Sequence, residues 1–226
     1  MIDRRAVLAA GAGLVLGGCG TVSTVSNSAG STTSSTTSSS AAPIALDEGV
    51  PRDPIVIPLT LYRLLDGGEL GTVRTADGIG LIGERVNEIW AQANITFDPL
   101  LVRDIEVSSD LLAPIVATGN IDPFIDGLRT SVNAPDPGVF NGFYLSAAFG
   151  VNGFAPTGTR TFFVVDEPTV HDERVSSHEI GHLLGLHHDA DDPDQLMFSG
   201  TNGTTLEGVE QAVSRYIAQG VLSGQR

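Results

Sequence analysis

Four of the chain's five histidines fall in one segment, His178-Glu-Ile-Gly-His-Leu-Leu-Gly-Leu-His-His188. A helix turns once in about 3.6 residues, so His178 and His182, four apart, project from one face and can chelate a single ion. Glu179 stands about 100° around the helix from His178, beside the ion rather than on it, where a carboxylate can act as general base towards water. Gly185 ends the helix, because glycine tolerates the left-handed backbone of a sharp C-terminal turn. Past that turn His188 can return to the ion as third ligand. Three neutral imidazoles leave a fourth position open, the arrangement of a catalytic Zn2+ site rather than a structural one. His187 is the neighbour that competes with His188, and the spacing favours His188. His171 precedes the helix and reads as a surface residue.

The segment HEIGHLLGLHH resembles the extended zinc motif HExxHxxGxxH of the metzincin metallopeptidases and is most similar to their matrixin-like branch. The resemblance extends to Met197, nine residues after His188, which is placed like the methionine turn of that family. It implies a zincin domain with a twisted mixed sheet, a backing helix, a zinc-binding helix and a C-terminal helix. It also implies a zinc metalloendopeptidase acting on protein or peptide substrates, with one catalytic Zn2+ on His178, His182 and His188, Glu179 as base, and Gly185 and Met197 in support. Some relatives carry a tyrosine two residues after the methionine; Ser199 stands there, so no such role is assigned. Asp189, Asp191, Asp192 and Asp194 offer carboxylates of the kind that hold Ca2+, yet in so acidic a chain a solvated loop is the preferred reading.

These residues must be positioned by a domain that begins near residue 51. Ile55 to Leu65 reads as a first strand, with Pro58 marking a bend or an edge. Ile82, Val86, Ile89, Trp90 and Ala93 form one apolar face of a helix over 78–93. Short strands are expected at 95–98 and 105–107. Asp122 and Pro123 open a helix with the stripe Ile121, Phe124, Ile125, Leu128 and Val132. Strands follow at 139–149 and 161–165, with residues 141–149 a candidate edge for pairing an extended substrate. Thr204 and Glu207 predict a capping box opening a last helix through about Ala218. Beside the resembled family's minimum, the run Gly119 to Pro137 looks longer and is expected to be an insertion. Strands and helices mix without strict alternation, so the class is α+β.

The chain has 226 residues, enough for one domain with extras. Acidic residues outnumber basic ones 27 to 12, and the net charge of −15 argues against nucleic acid as a partner. Residues 1–18 carry Arg4 and Arg5, then an apolar run too short to span a bilayer, and resemble a twin-arginine export signal. Leu16-Gly-Gly-Cys19 resembles a prokaryotic lipobox, with Cys19 as the lipid attachment site and the membrane as a partner through that anchor. Cys19 is the only cysteine, which rules out an intramolecular disulfide. Residues 19–50, rich in Ser and Thr, lack the apolar mass to offset ordering and read as a flexible stalk. Residues 51–226 are then the catalytic domain, a monomer held extracytoplasmically at the membrane or secreted. The alternative is a non-catalytic, zinc-stabilised surface interaction lipoprotein, which Glu179 argues against because a structural site needs no base.

Overall fold

The computed structural model describes residues 53–129, 135–136 and 138–224. The readings of residues 1–18 and 19–50, of Cys19 and of Val132 lie outside the described residues.

Five strands form one sheet in the order β2-β1-β3-β5-β4. They are β1 (Ile55–Leu65), β2 (Ile95–Glu106), β3 (Phe140–Leu145), β4 (Gly153–Phe154) and β5 (Thr161–Val165). The first three and β5 run parallel, while β4 is an antiparallel edge on β5. β1, β3 and β5 are largely buried from both sides, and their side chains alternate between two apolar layers. Leu59, Leu61, Phe140, Tyr144, Phe162 and Val164 face the first layer. Tyr62, Leu64, Phe143, Leu145 and Phe163 face the second.

The first layer holds α1 (Ala76–Trp90), α4 (Asp172–Leu183) and α5 (Gly208–Leu222); the second holds α2 (Ser109–Thr118) and α3 (Asp122–Arg129). Thr75 starts α1 by accepting the Gly78 N–H through its side chain. Ile79, Ile82, Val86, Ile89 and Trp90 then form its buried stripe. Among the described residues no helix is long and apolar enough to cross a membrane. The class is α+β, as the sequence predicts.

The structure corrects several local expectations. Pro58 is not among them: it sits at a register shift between Ile57 and Leu59, where β1 is paired with β2 alone because β3 joins only from Leu59, as a bend or an edge would have it. The two short strands expected at 95–98 and 105–107 are one strand, β2. Its middle holds Leu100, Leu101 and Val102, but Pro99 ahead of them and the charges of Asp98, Arg103 and Asp104 around them broke the alternation that marks a strand. Helix α2, which carries an internal proline, was not foreseen. The strand over 139–149 stops at Leu145 and lies between β1 and β5, so its backbone is paired on both sides and cannot receive a substrate. The edge strands are β2 and β4, and β4 is the one that lies against α4.

The last helix opens later than predicted. Glu207, not Thr204, is its N-cap, in a reciprocal capping box with Glu210. Thr205 is held extended by backbone bonds to Asp194 and Leu196, which keeps Thr204 outside the helix. Arg215, buried, fixes α5 to the rest of the fold by donating to the carbonyls of Ala93, Asn94 and Asp53.

Candidate metal centre

Helix α4 carries the chemistry, and Arg174 through Gly181 along it are all buried. Asp172 and Glu173 complement the helix dipole in its first turn. Arg74 anchors that end: its guanidinium forks onto both oxygens of Asp172 at 2.7 and 2.8 Å and also reaches the Val165 carbonyl at 3.0 Å. Tyr144, fully buried beneath the helix, bonds Ser176 at 3.0 Å, and burial pushes its phenol up to about 12.

The other end is a Schellman turn. Gly185 has φ +81°, its N–H donates to the His182 carbonyl, and the Leu186 N–H donates to that of Gly181. The turn brings the Leu186 carbonyl back to His182, whose Nδ1 lies 3.0 Å from it. His178 Nδ1 lies 2.8 Å from the Leu196 carbonyl. A carbonyl only accepts, so both rings carry their proton on Nδ1 and turn a bare Nε2 inward. The segment bearing His188 is tied to the methionine turn by the Asp189 N–H, which donates to the Met197 carbonyl.

The three Nε2 atoms converge, with His188 at 3.2 Å from both His182 and His178. His178 and His182 each turn a bare Nε2 towards His188 Nε2, so one cation placed among the three could be shared by all of them. Tetrahedral zinc with bonds of about 2.05 Å requires ligand nitrogens about 3.3 Å apart, so the triad fits that ion. Among the described residues this is the only group of three or more His, Cys, Asp or Glu side chains that converges on one point. Burial is the main reason all three imidazoles resist protonation, and it holds His178 down to about 3. The triad is therefore neutral and ready to ligate at physiological pH.

Glu179 is buried beside His178, and no hydrogen bond or ion pair reaches its carboxylate among the described residues. Burial pushes it up to about 8, with Arg174 pulling the other way. Met197 is fully buried under the histidines, against Gly181, where a β-carbon would come 2.5 Å from its sulfur. The edge strand β4 passes over the same helix, its Gly153 against Val175 and Glu179. A cavity of about 580 Å³ opens beside His182, walled by Phe140, Leu183, Ile217 and Val221.

The fold places the remaining sequence candidates elsewhere. His187 is exposed and lines that cavity without joining the triad. His171 is exposed ahead of α4, its N–H on Asn202. Asp189 and Asp192 spend their carboxylates on backbone N–H groups of their own loop. Ser199 makes no hydrogen bond to the triad among the described residues. Sequence reasoning missed the Leu186 and Leu196 carbonyls, Gly153 and Arg174. Only Arg174 left a trace, as a cation one helical turn before His178.

Known structures share this architecture. An archaemetzincin from Methanopyrus kandleri superposes with a TM-score of 0.51 at 17% identity, over 75% of this chain and 99% of that one. The fold is metzincin-like. Metalloproteinase-II from Bacteroides fragilis also superposes with a TM-score of 0.51, at 14% identity, over 73% of this chain; the match spans about half, 54%, of that protein. No protein-family profile and no curated protein matches the sequence. The metzincin-like assignment therefore rests on fold, and the histidine triad stands on its own geometry.

Proposed function

We propose that this chain is a zinc-dependent endopeptidase that hydrolyses extracellular or cell-envelope proteins. His178, His182 and His188 would hold one zinc ion, and Glu179 would be the general base. The observation that carries this reading is the convergence of three Nε2 atoms, His188 at 3.2 Å from both His178 and His182, beside a buried carboxylate with no hydrogen-bond or ion-pair partner among the described residues. Zinc bound there supplies Lewis-acid polarisation of the scissile carbonyl and acidifies water. Glu179 takes the proton of the attacking water on its carboxylate and delivers it to the leaving amine nitrogen. A zinc ion beside it would oppose the effect of burial on this carboxyl and favour the ionised form that accepts the proton. The free edge of β4 offers main-chain groups to an extended substrate directly above Glu179. The membrane-anchored, extracytoplasmic setting is read from residues 1–50 alone, and a Cys19→Ser variant that leaves the membrane fraction supports it.

The test is a peptide-library digest by purified protein of known zinc content, with and without chelator, beside Glu179→Gln. Stoichiometric zinc in both proteins, and cleavage by the parent that chelator abolishes and Glu179→Gln lacks, supports the proposal. Zinc binding without cleavage favours the interaction lipoprotein. Undiminished cleavage by Glu179→Gln removes the base from the mechanism.

A further inference from the structure

Arg174 is 4% exposed, and among the described residues no carboxylate lies within ion-pair distance of it. A buried guanidinium without an ion-pair partner is expensive, and an apolar side chain of the same volume would pack the helix more cheaply. What Arg174 has instead is the methionine turn. Its Nη2 donates to the Leu196 carbonyl at 2.9 Å and also to the Phe198 carbonyl, the two carbonyls that bracket Met197. The Leu196 carbonyl is the same one that His178 Nδ1 contacts at 2.8 Å. One oxygen thus joins a buried cation to a histidine of the triad, and Arg174 stands on the same helix one turn before that histidine.

We propose that Arg174 is a positioning residue of the metal centre, its guanidinium clamping the 196–198 turn to α4 and so orienting His178 through the carbonyl they share. The arrangement has the form of an outer partner that fixes a ligand's tautomer and ring angle. Here the partner is itself anchored by a charge. Charge-assisted donation also draws density from the Leu196 carbonyl, so the oxygen is held in place by a stronger bond than a neutral donor would give. The clamp joins two parts of the chain more than twenty residues apart in sequence, α4 and the turn, and adds a charged tie to the His178–Leu196 hydrogen bond between them.

This inference rests on the zinc reading of the triad, and its test separates the two. Zinc affinity is measured by competition with a chromophoric chelator, well below the melting temperature of each protein, for the parent, Arg174→Met and Arg174→Lys. The parent must bind zinc; if it does not, the proposed function fails first. With a zinc-binding parent, folded Arg174→Met is expected to bind at least about tenfold more weakly, and Arg174→Lys, which keeps the charge but loses the planar fork, to recover part of that loss. Imidazole nitrogen NMR of the metal-free proteins should show His178 protonated at Nδ1 in the parent and as mixed tautomers in Arg174→Met. A folded Arg174→Met with parental affinity and an unchanged His178 tautomer overturns the clamp, whatever its melting temperature. If Arg174→Met does not fold, Arg174→Lys decides: a loss of roughly threefold or more supports the clamp, and parental affinity with an unchanged tautomer overturns it.

Discussion

Gly153 on β4 and Glu179 on α4 lie so close that a β-carbon at residue 153 would stand 3.1 Å from Cγ of Glu179. The same atom would come within 2.8 Å of the Phe163 carbonyl and of Val175. Backbone on one side and a packed helix on the other leave β4 no way to accept Gly153→Ala except by moving away from α4. Overpacking of this kind costs about 1–3 kcal/mol. The proposed peptidase activity should fall further than stability does, because the edge strand sets the distance between a bound substrate and Glu179; a misplacement of about 1 Å is worth roughly a hundredfold in rate. Parallel measurement of kcat/KM, melting temperature and zinc content checks this. Zinc content should be unchanged, since the added β-carbon meets Phe163, Val175 and Glu179 and none of the three histidines.

Metal removal gives a second expectation. Zinc that binds only the folded state, at about a thousandfold its dissociation constant, adds about 4 kcal/mol of stability. For a domain of this size that is a rise in melting temperature of roughly 10 °C over the chelated protein. Two histidine variants separate binding from packing. His178→Ala and His188→Ala should both lose the zinc-dependent rise. In chelator, only His178→Ala should melt lower than the parent, because His178 is 5% exposed and bonded to Leu196, whereas the His188 side chain is exposed.

The triad, Glu179, the Gly185 turn and Met197 were legible in the sequence because each obeys a short-range rule: helical spacing, a left-handed turn, a fixed offset to the next ligand. What was not legible is what reaches across the chain. The position of β3 between β1 and β5 depends on pairing with residues some eighty positions earlier and twenty later, and no local pattern tells an interior strand from an edge. The capping box moved from Thr204 to Glu207 because Thr205 is engaged by Asp194 and Leu196, a tertiary demand that overrides a good local signal. Arg174 reads as a surface charge on an amphipathic helix until the turn that covers it is in place.

Acid should weaken one loop in a defined window. The Asp66 carboxylate accepts the N–H of Gly68 at 2.9 Å, that of Gly71 at 3.0 Å and that of Leu70 at 3.2 Å, and the Ser109 hydroxyl at 2.9 Å. These bonds, the one from Gly68 foremost, hold it down to about 2 from an ordinary value of 3.8. A folded-state value below the unfolded one means the contribution is complete above the unfolded value and lost as pH falls through the folded one. Asp66→Ala should therefore have a lower urea midpoint than the parent at pH 6, and the gap should narrow between about pH 4 and pH 2. A gap that stays constant over that range would show that the carboxylate's charge does not stabilise the 66–71 turn.

Gly185 tests whether the helix stop and the metal centre are one device. Its φ of +81° is a conformation that an L-residue adopts at a cost of about 1–2 kcal/mol, and a β-carbon there would stand 3.0 Å from Cγ1 of Ile217 on α5. Gly185→Ala should lower stability by at least that amount. The turn also aims the Leu186 carbonyl at His182 Nδ1, 3.0 Å away, so any relaxation of the strained backbone moves the group that orients a ligand. Zinc should accordingly bind about tenfold more weakly, the scale expected when an outer partner of a metal ligand is disturbed. Calorimetric zinc titration of the folded variant, beside its urea midpoint, distinguishes the two effects. A less stable protein with parental zinc affinity would mean that the turn serves the fold alone and that His182 is oriented by its packing within α4.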